Sequence, residues 1–104
     1  MFPYKNQVKK VLENEEWIKV LAKLMKEKGL TENELKMFTV LCVVAYYYGN
    51  GDALAGVMLI GTVRRKEWKE LFKKVFGRLP STHVELFIML HSVGYTRIIG
   101  RILR

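Results

Sequence analysis

Two stretches of this chain, LKMFTVLCVVAYYY from Leu35 to Tyr48 and HVELFIMLHSV from His83 to Val93, are apolar on nearly every side when wound as a helix. A helix without a polar face cannot lie in water, so each must be enclosed by the rest of the chain or by another molecule. Both are introduced by the same signal. Thr31 with Glu34, and Thr82 with Glu85, have the spacing of a capping box, in which hydroxyl and carboxylate each accept from the other residue's exposed backbone N–H. Val40, Val43 and Val44 favour a strand, but the capping box and the run length favour a helix.

A membrane is the obvious alternative enclosure. The apolar runs Met37–Tyr48 and Ala53–Val63 are each shorter than the roughly 20 residues of a spanning helix, and Gly49-Asn50-Gly51-Asp52 separates them. One continuous span would hold Asp52 in the bilayer at a cost of about 2.5–3.5 kcal/mol. Two enclosed helices joined by a turn are the better reading. The amino-terminal MFPYKNQVKK carries no secretory signal, and the expected location is cytoplasmic.

The remaining punctuation supplies further helices. Val8, Val11, Leu12, Ile18, Leu21, Leu24 and Met25 keep helical spacing from about Tyr4 to Lys28, loosened around Asn14 and closed by Gly29. Ala53–Phe76 reads as one helix or two, with a break expected at Gly61-Thr62 and Thr62 as N-cap. Gly77 ends it, and Gly94 separates the second apolar helix from a short last one capped by Thr96. With no strand or hairpin signal, the expected fold is all-α, a compact four- to five-helix bundle forming a single helical domain over residues 1–104.

The capping boxes stand 51 residues apart, as do Glu16-Trp17 and Glu67-Trp68, and Lys23 and Lys74. A duplication at that offset would make two pseudo-symmetric helical hairpins, with the two apolar helices at the centre. The alternative is that two ordinary helices share a common start signal. Two all-round apolar helices are also a heavy load for 104 residues, which leads to an expected homo-oligomer, most simply a dimer.

Charge gives the functional direction. Residues 1–63 carry 8 basic and 7 acidic side chains, whereas residues 64–104 carry 10 and 3, so nearly all of the net +8 lies in the second part. Such an excess suits a polyanion. The segment RRKEWKELFKKVFGR supplies Arg64, Arg65, Lys66, Lys69, Lys73, Lys74 and Arg78. YTRIIGRILR adds Arg97, Arg101 and Arg104 on one helical stripe, opposite Ile98, Ile99, Ile102 and Leu103. Guanidinium forks suit phosphate, although cations in a last turn also complement the helix dipole, and most charge runs are solvated faces.

Two segments compare with a helix-turn-helix. In His83–Arg104 the turn would hold Gly94, but Leu90 stands where a small residue is wanted and Gly100 where a buried aliphatic belongs. In the other, Ala53–Ile60 would support a reading helix over Val63–Phe76.

Catalysis finds little footing. His83 and His91, eight residues apart on one helix, stand about 12 Å apart along it, too far to share a metal. Cys42, the only cysteine, excludes an internal disulfide and sits in an apolar helix where thiols are inert. No enzyme, metal, cofactor or small-molecule substrate is expected. Tyr46, Tyr47 and Tyr48 suit packing better than base stacking. A composition rich in Lys, Glu, Ile and Val with one Gln resembles that of thermophile proteins.

The expectation is therefore a small, basic, oligomeric DNA-binding protein, regulatory or architectural, that contacts phosphates of double-stranded DNA through the ten cations named above. A helical protein–protein assembly module is the alternative, and a membrane-associated protein ranks third.

Overall fold

The computed structural model describes residues 2–104, and among these no strand occurs. Seven α-helices follow one another: α1 (Lys5–Leu12), α2 (Glu15–Lys28), α3 (Glu32–Gly49), α4 (Ala53–Arg64), α5 (Lys69–Phe76), α6 (His83–Ser92) and α7 (Tyr95–Leu103), with a 3-10 turn at Lys66–Trp68 before α5. The all-α class holds, with more and shorter helices than the bundle expected.

The first division falls where the periodicity loosens. Asn14 takes an extended backbone, and its side-chain oxygen accepts from the N–H groups of Glu16 at 2.9 Å and Trp17 at 3.2 Å. A side chain that satisfies two orphan donors starts a new helix more cheaply than it continues the old one. At the other end, Gly29 adopts φ 68°, left-handed geometry that suits glycine, and returns its N–H to the Met25 carbonyl.

Helix α3 is the axis of the molecule. Its capping box is complete: Thr31 Oγ1 accepts from Glu34 N–H at 3.2 Å, and Glu34 Oε1 accepts from Thr31 N–H at 2.9 Å. Phe38, Leu41, Cys42, Val43, Val44 and Ala45 are buried around its whole circumference, because α1, α2, α4, α6 and α7 all pack on it. Trp17 of α2 is fully buried beside it, stacked on Phe38. Its indole N–H donates to Thr39 Oγ1 at 2.9 Å, and Thr39 in turn donates to the Leu35 carbonyl at 2.8 Å. The buried hydroxyl and indole are thus both satisfied.

The second apolar helix is less central than expected. On α6 only Leu86 and Leu90 are buried, while Val84 and Ile88 face outward. Its capping box is half formed: Thr82 Oγ1 accepts from Glu85 N–H at 3.1 Å, but the Glu85 carboxylate is drawn to Arg78.

Two expected boundaries move. Helix α4 runs unbroken through Gly61-Thr62, and Thr62 is no N-cap, because its hydroxyl donates back to the Met58 carbonyl at 2.8 Å inside the helix. The break comes at Arg65, which is extended at φ −87°, ψ 137°. Thr96 is not the cap of α7 either. Gly94, at φ 92°, holds that position, and Thr96 is buried in the first turn with its hydroxyl 2.7 Å from His91 Nδ1.

The two halves are not structural copies. Trp68, the counterpart of Trp17 at the 51-residue offset, lies half-buried in the 3-10 turn against Phe72. Helix α2 packs along α3, whereas α5 rests on its own preceding turn and on α2. Among the described residues no single helix is long and apolar enough to cross a membrane. Helices α6 and α7 together have the composition for it but are bent by 78°.

Candidate nucleic-acid interface

The structure sorts the ten expected cations into three groups. Arg64 closes α4, Lys66 lies in the 3-10 turn, and Lys69 and Lys73 stand on the outer face of α5; all four are exposed. Leu71 and Phe72, buried on the opposite face, fix that orientation. Lys66, Lys69 and Lys73 follow i, i+3, i+7 spacing and so form one row of roughly 11 Å. Among the described residues no carboxylate lies within 4.0 Å of these four cations. Arg65 extends the row with only a loose, solvent-exposed approach to Glu67 at 3.9 Å.

A second group is occupied by carboxylates. Lys74 turns inward and donates to Glu34 Oε1 at 2.7 Å and to the Gly29 carbonyl at 3.3 Å, joining α5 to the α2–α3 corner. Partial burial pushes the Glu34 carboxyl upward, but the Lys74 ammonium and the Thr31 N–H and hydroxyl outweigh it, and the net shift is downward. Arg78 pairs with Glu85, and Arg101 of α7 pairs with Glu16 of α2 at 2.6 Å.

Arg97 and Arg104 form the third group. They line a cleft of about 150 Å³ with Tyr46, Asn50, Phe87 and His91, where the last turn of α3 meets α7. None of its lining side chains is acidic. The cleft exists because two glycines allow close approach. A Cβ on Gly100 would stand 3.0 Å from Tyr46 Cε1, and one on Gly49 would stand 2.8 Å from Phe87 Cε1. Gly100, awkward for a helix-turn-helix, is thus explained by the tyrosine ring lying on it. His91 stacks on Phe87 and shares a hydrogen bond with Thr96.

These groups do not merge into one surface. Lys74 ties α5 to Glu34 in the first turn of α3, while Arg97 and Arg104 gather at its last turn. From Glu34 to Gly49 is roughly 22 Å of helix. The stripe on α7 is realised as expected, with Ile99 and Ile102 buried opposite it, but it lies at the far end of α3 from the row on α5. In the two segments compared with a helix-turn-helix, the first turn of α7 sets Tyr95 on the core, edge-on to both Trp17 and Phe38, and α5 is separated from α4 by the extended Arg65 and the 3-10 turn.

Elsewhere the chemistry is structural. Asp52 caps α4 by accepting from Leu54 N–H at 3.0 Å and also accepts the Tyr4 hydroxyl, whose ring stacks on Tyr47. Burial, followed by Asp52, pushes the Tyr4 phenol up to about 12. Burial raises the Cys42 thiol well above its ordinary value, which keeps it protonated. Among the described residues no three His, Cys, Asp or Glu side chains are grouped to hold a metal.

The chain matches no family model, no curated protein and no solved structure.

Proposed function

We propose that this protein is a non-catalytic, double-stranded-DNA-binding protein whose main contacts are Arg64, Lys66, Lys69 and Lys73 on phosphates. The observation that carries the reading is that these four cations are exposed and unpaired, three of them (Lys66, Lys69 and Lys73) in one row, while Lys74, Arg78 and Arg101 are bound to carboxylates. Unpaired ammonium and guanidinium groups release counterions from DNA without first breaking an internal pair. At roughly 3.4 Å of helix axis per phosphate, an 11 Å row matches about three phosphates of one strand. Arg97 and Arg104 offer a second, separate phosphate contact. The three lysines of the row are point charges without the bidentate fork of a guanidinium, so under this reading binding is largely independent of sequence and the role architectural. The site of action under this reading is the cytoplasm.

The test is the salt dependence of binding to a short duplex, read by fluorescence anisotropy. Four neutralised phosphates give a log–log slope of roughly −3.6. Reversal of Lys69 and Lys73 to Glu should abolish binding at moderate salt. A slope near zero, or binding unchanged by the reversal, refutes the reading.

A second reading, an assembly module, is favoured by the exposed apolar side chains Leu54, Val57, Val84 and Ile88. The two readings are compatible if assembly joins copies of the chain.

A further inference from the structure

Helix α4 has no charged residue from Ala53 to Val63, and only one side of it is covered. Ala55, Gly56 and Leu59 pack inward, while Leu54 is 50% and Val57 64% exposed. Leu54, Val57, Met58 and Gly61 share the outward face by helical spacing. Gly61 is distinctive there, because a Cβ built on it would meet nothing within 4 Å. It forms part of the floor of an apolar groove of about 430 Å³, walled by Val40 and Val44 of α3, Phe2 and Trp68. The outward face therefore presents a knob, Leu54, and two helical turns away a hole over Gly61.

We infer that α4 pairs antiparallel with α4 of a second copy of this chain, with Leu54 of each copy seated over Gly61 of the other. A twofold axis between residues 57 and 58 sets 54 opposite 61 and 57 opposite 58, so both seats fill at once. Charge supports the occupant and the direction. Asp52 stands at the start of α4 and Arg65, which lines the groove, just past its end, so antiparallel pairing brings Asp52 of each copy toward Arg65 of the other, whereas parallel pairing sets like charges together. The helix dipoles oppose in the same sense. Stable interfaces bury about 800 Å² on each side, more than a pair of three-turn helices covers. The groove walls on α3, Phe2 and Trp68 extend the contact.

The pairing leaves Lys66, Lys69 and Lys73 outside the contact, so a dimer carries two basic rows. It also makes the salt responses opposite in sign. Copies of net charge +8 repel, and added salt strengthens self-association while weakening DNA binding.

Sedimentation over a concentration series should show the mass rising from 12.2 kDa toward twice that value, and acrylamide quenching of Trp68 should fall in step. Gly61→Leu fills the hole in open space with a better helix former, so the chain remains folded, and association should weaken about a hundredfold because two leucine seats are lost together. Val57→Cys should form an intermolecular disulfide under mild oxidation, since the two copies of this position are offset by only about 1.5 Å along the axis. Leu54→Cys should not, since its two copies are offset by about 10 Å. Cys42 is fully buried and does not compete. A wild-type chain that stays at monomer mass throughout overturns the inference, as does a Gly61→Leu variant that associates unchanged. If the Leu54→Cys variant crosslinks as readily as the Val57→Cys variant, the antiparallel register is overturned.

Discussion

Lys73 and Lys74 are adjacent, identical in type and assigned opposite roles, which makes them the sharpest test of how the cations are sorted. Lys74 makes a charge-assisted hydrogen bond of 2.7 Å to Glu34 and a longer one to the Gly29 carbonyl, with side chains only 26% and 12% exposed. Hydrogen bonds to charged groups contribute about 1.5–3 kcal/mol, and discounting for partial exposure leaves about 1–2 kcal/mol for Lys74→Ala. For a domain near 100 residues this lowers Tm by about 5–10 °C. The loss should depend on pH. Glu34 has a folded value below 4.5, so the pair's contribution is complete above the unfolded value and disappears as pH falls through the folded one. Wild type and Lys74→Ala therefore converge in stability in acid. Lys73 is exposed and unpaired, so Lys73→Ala should change stability by no more than about 0.5 kcal/mol. In duplex binding the order reverses: Lys73→Ala should reduce the salt slope by about 0.9 and Lys74→Ala should leave it unchanged. Thermal unfolding followed by circular dichroism, with anisotropy titrations at several salt concentrations, measures both. If the two slopes fall together, binding follows net charge alone and the sorting is wrong; equal losses of stability would remove the structural role of Lys74.

Two further outcomes follow from the core. Thr39→Val keeps the shape of the side chain but leaves the Trp17 indole N–H buried without an acceptor, and denaturant unfolding should show a loss of about 1–3 kcal/mol. Tyr4 is neutral in the folded protein up to about 12 but ionises near 10 when unfolded, so its contribution is present below pH 10 and lost as pH rises toward 12. Tyr4→Phe should reduce the alkaline fall in stability, with Tyr47 and Tyr95, also raised by burial, supplying what remains.

The elements legible in the sequence were those whose signals are local. Thr31 and Glu34 lie three residues apart and complete their box with each other, so the start of α3 required no knowledge of the fold. The alternation of Arg97, Arg101 and Arg104 with buried Ile99 and Ile102 was equally visible. Gly61-Thr62 misled because the same dipeptide that signals a break fits inside a helix once Thr62 bonds back to Met58, and α3 and α6 hold α4 straight through it. Trp17 and Trp68 share a Glu-Trp sequence and an offset, yet one is enclosed with Thr39 and Phe38 around it and the other stays half-buried against Phe72. The sorting of the cations was out of reach for a related reason. Lys74 meets Glu34 forty residues away and Arg101 meets Glu16 eighty-five away, and no periodicity encodes such pairings. The cleft around Arg97 and Arg104 left one trace, Gly100, whose lack of a side chain makes room for Tyr46.

Helix α3 packs closely on every other helix except α5, which is tied to it by the Lys74–Glu34 pair, adds Leu71 and Phe72 to the shared core, and otherwise rests on α2 and its own leading turn. The eight residues of α5 thus form the natural first unit of sub-global opening. Their amides should exchange with solvent well ahead of those in α3, through an excursion that uncovers Leu71 and Phe72 but leaves the other helices in place. A polyanion that engages Lys69 and Lys73 would hold this segment shut. Slowed exchange confined to residues 69–76 would register a bound strand without any change in the shape of the molecule.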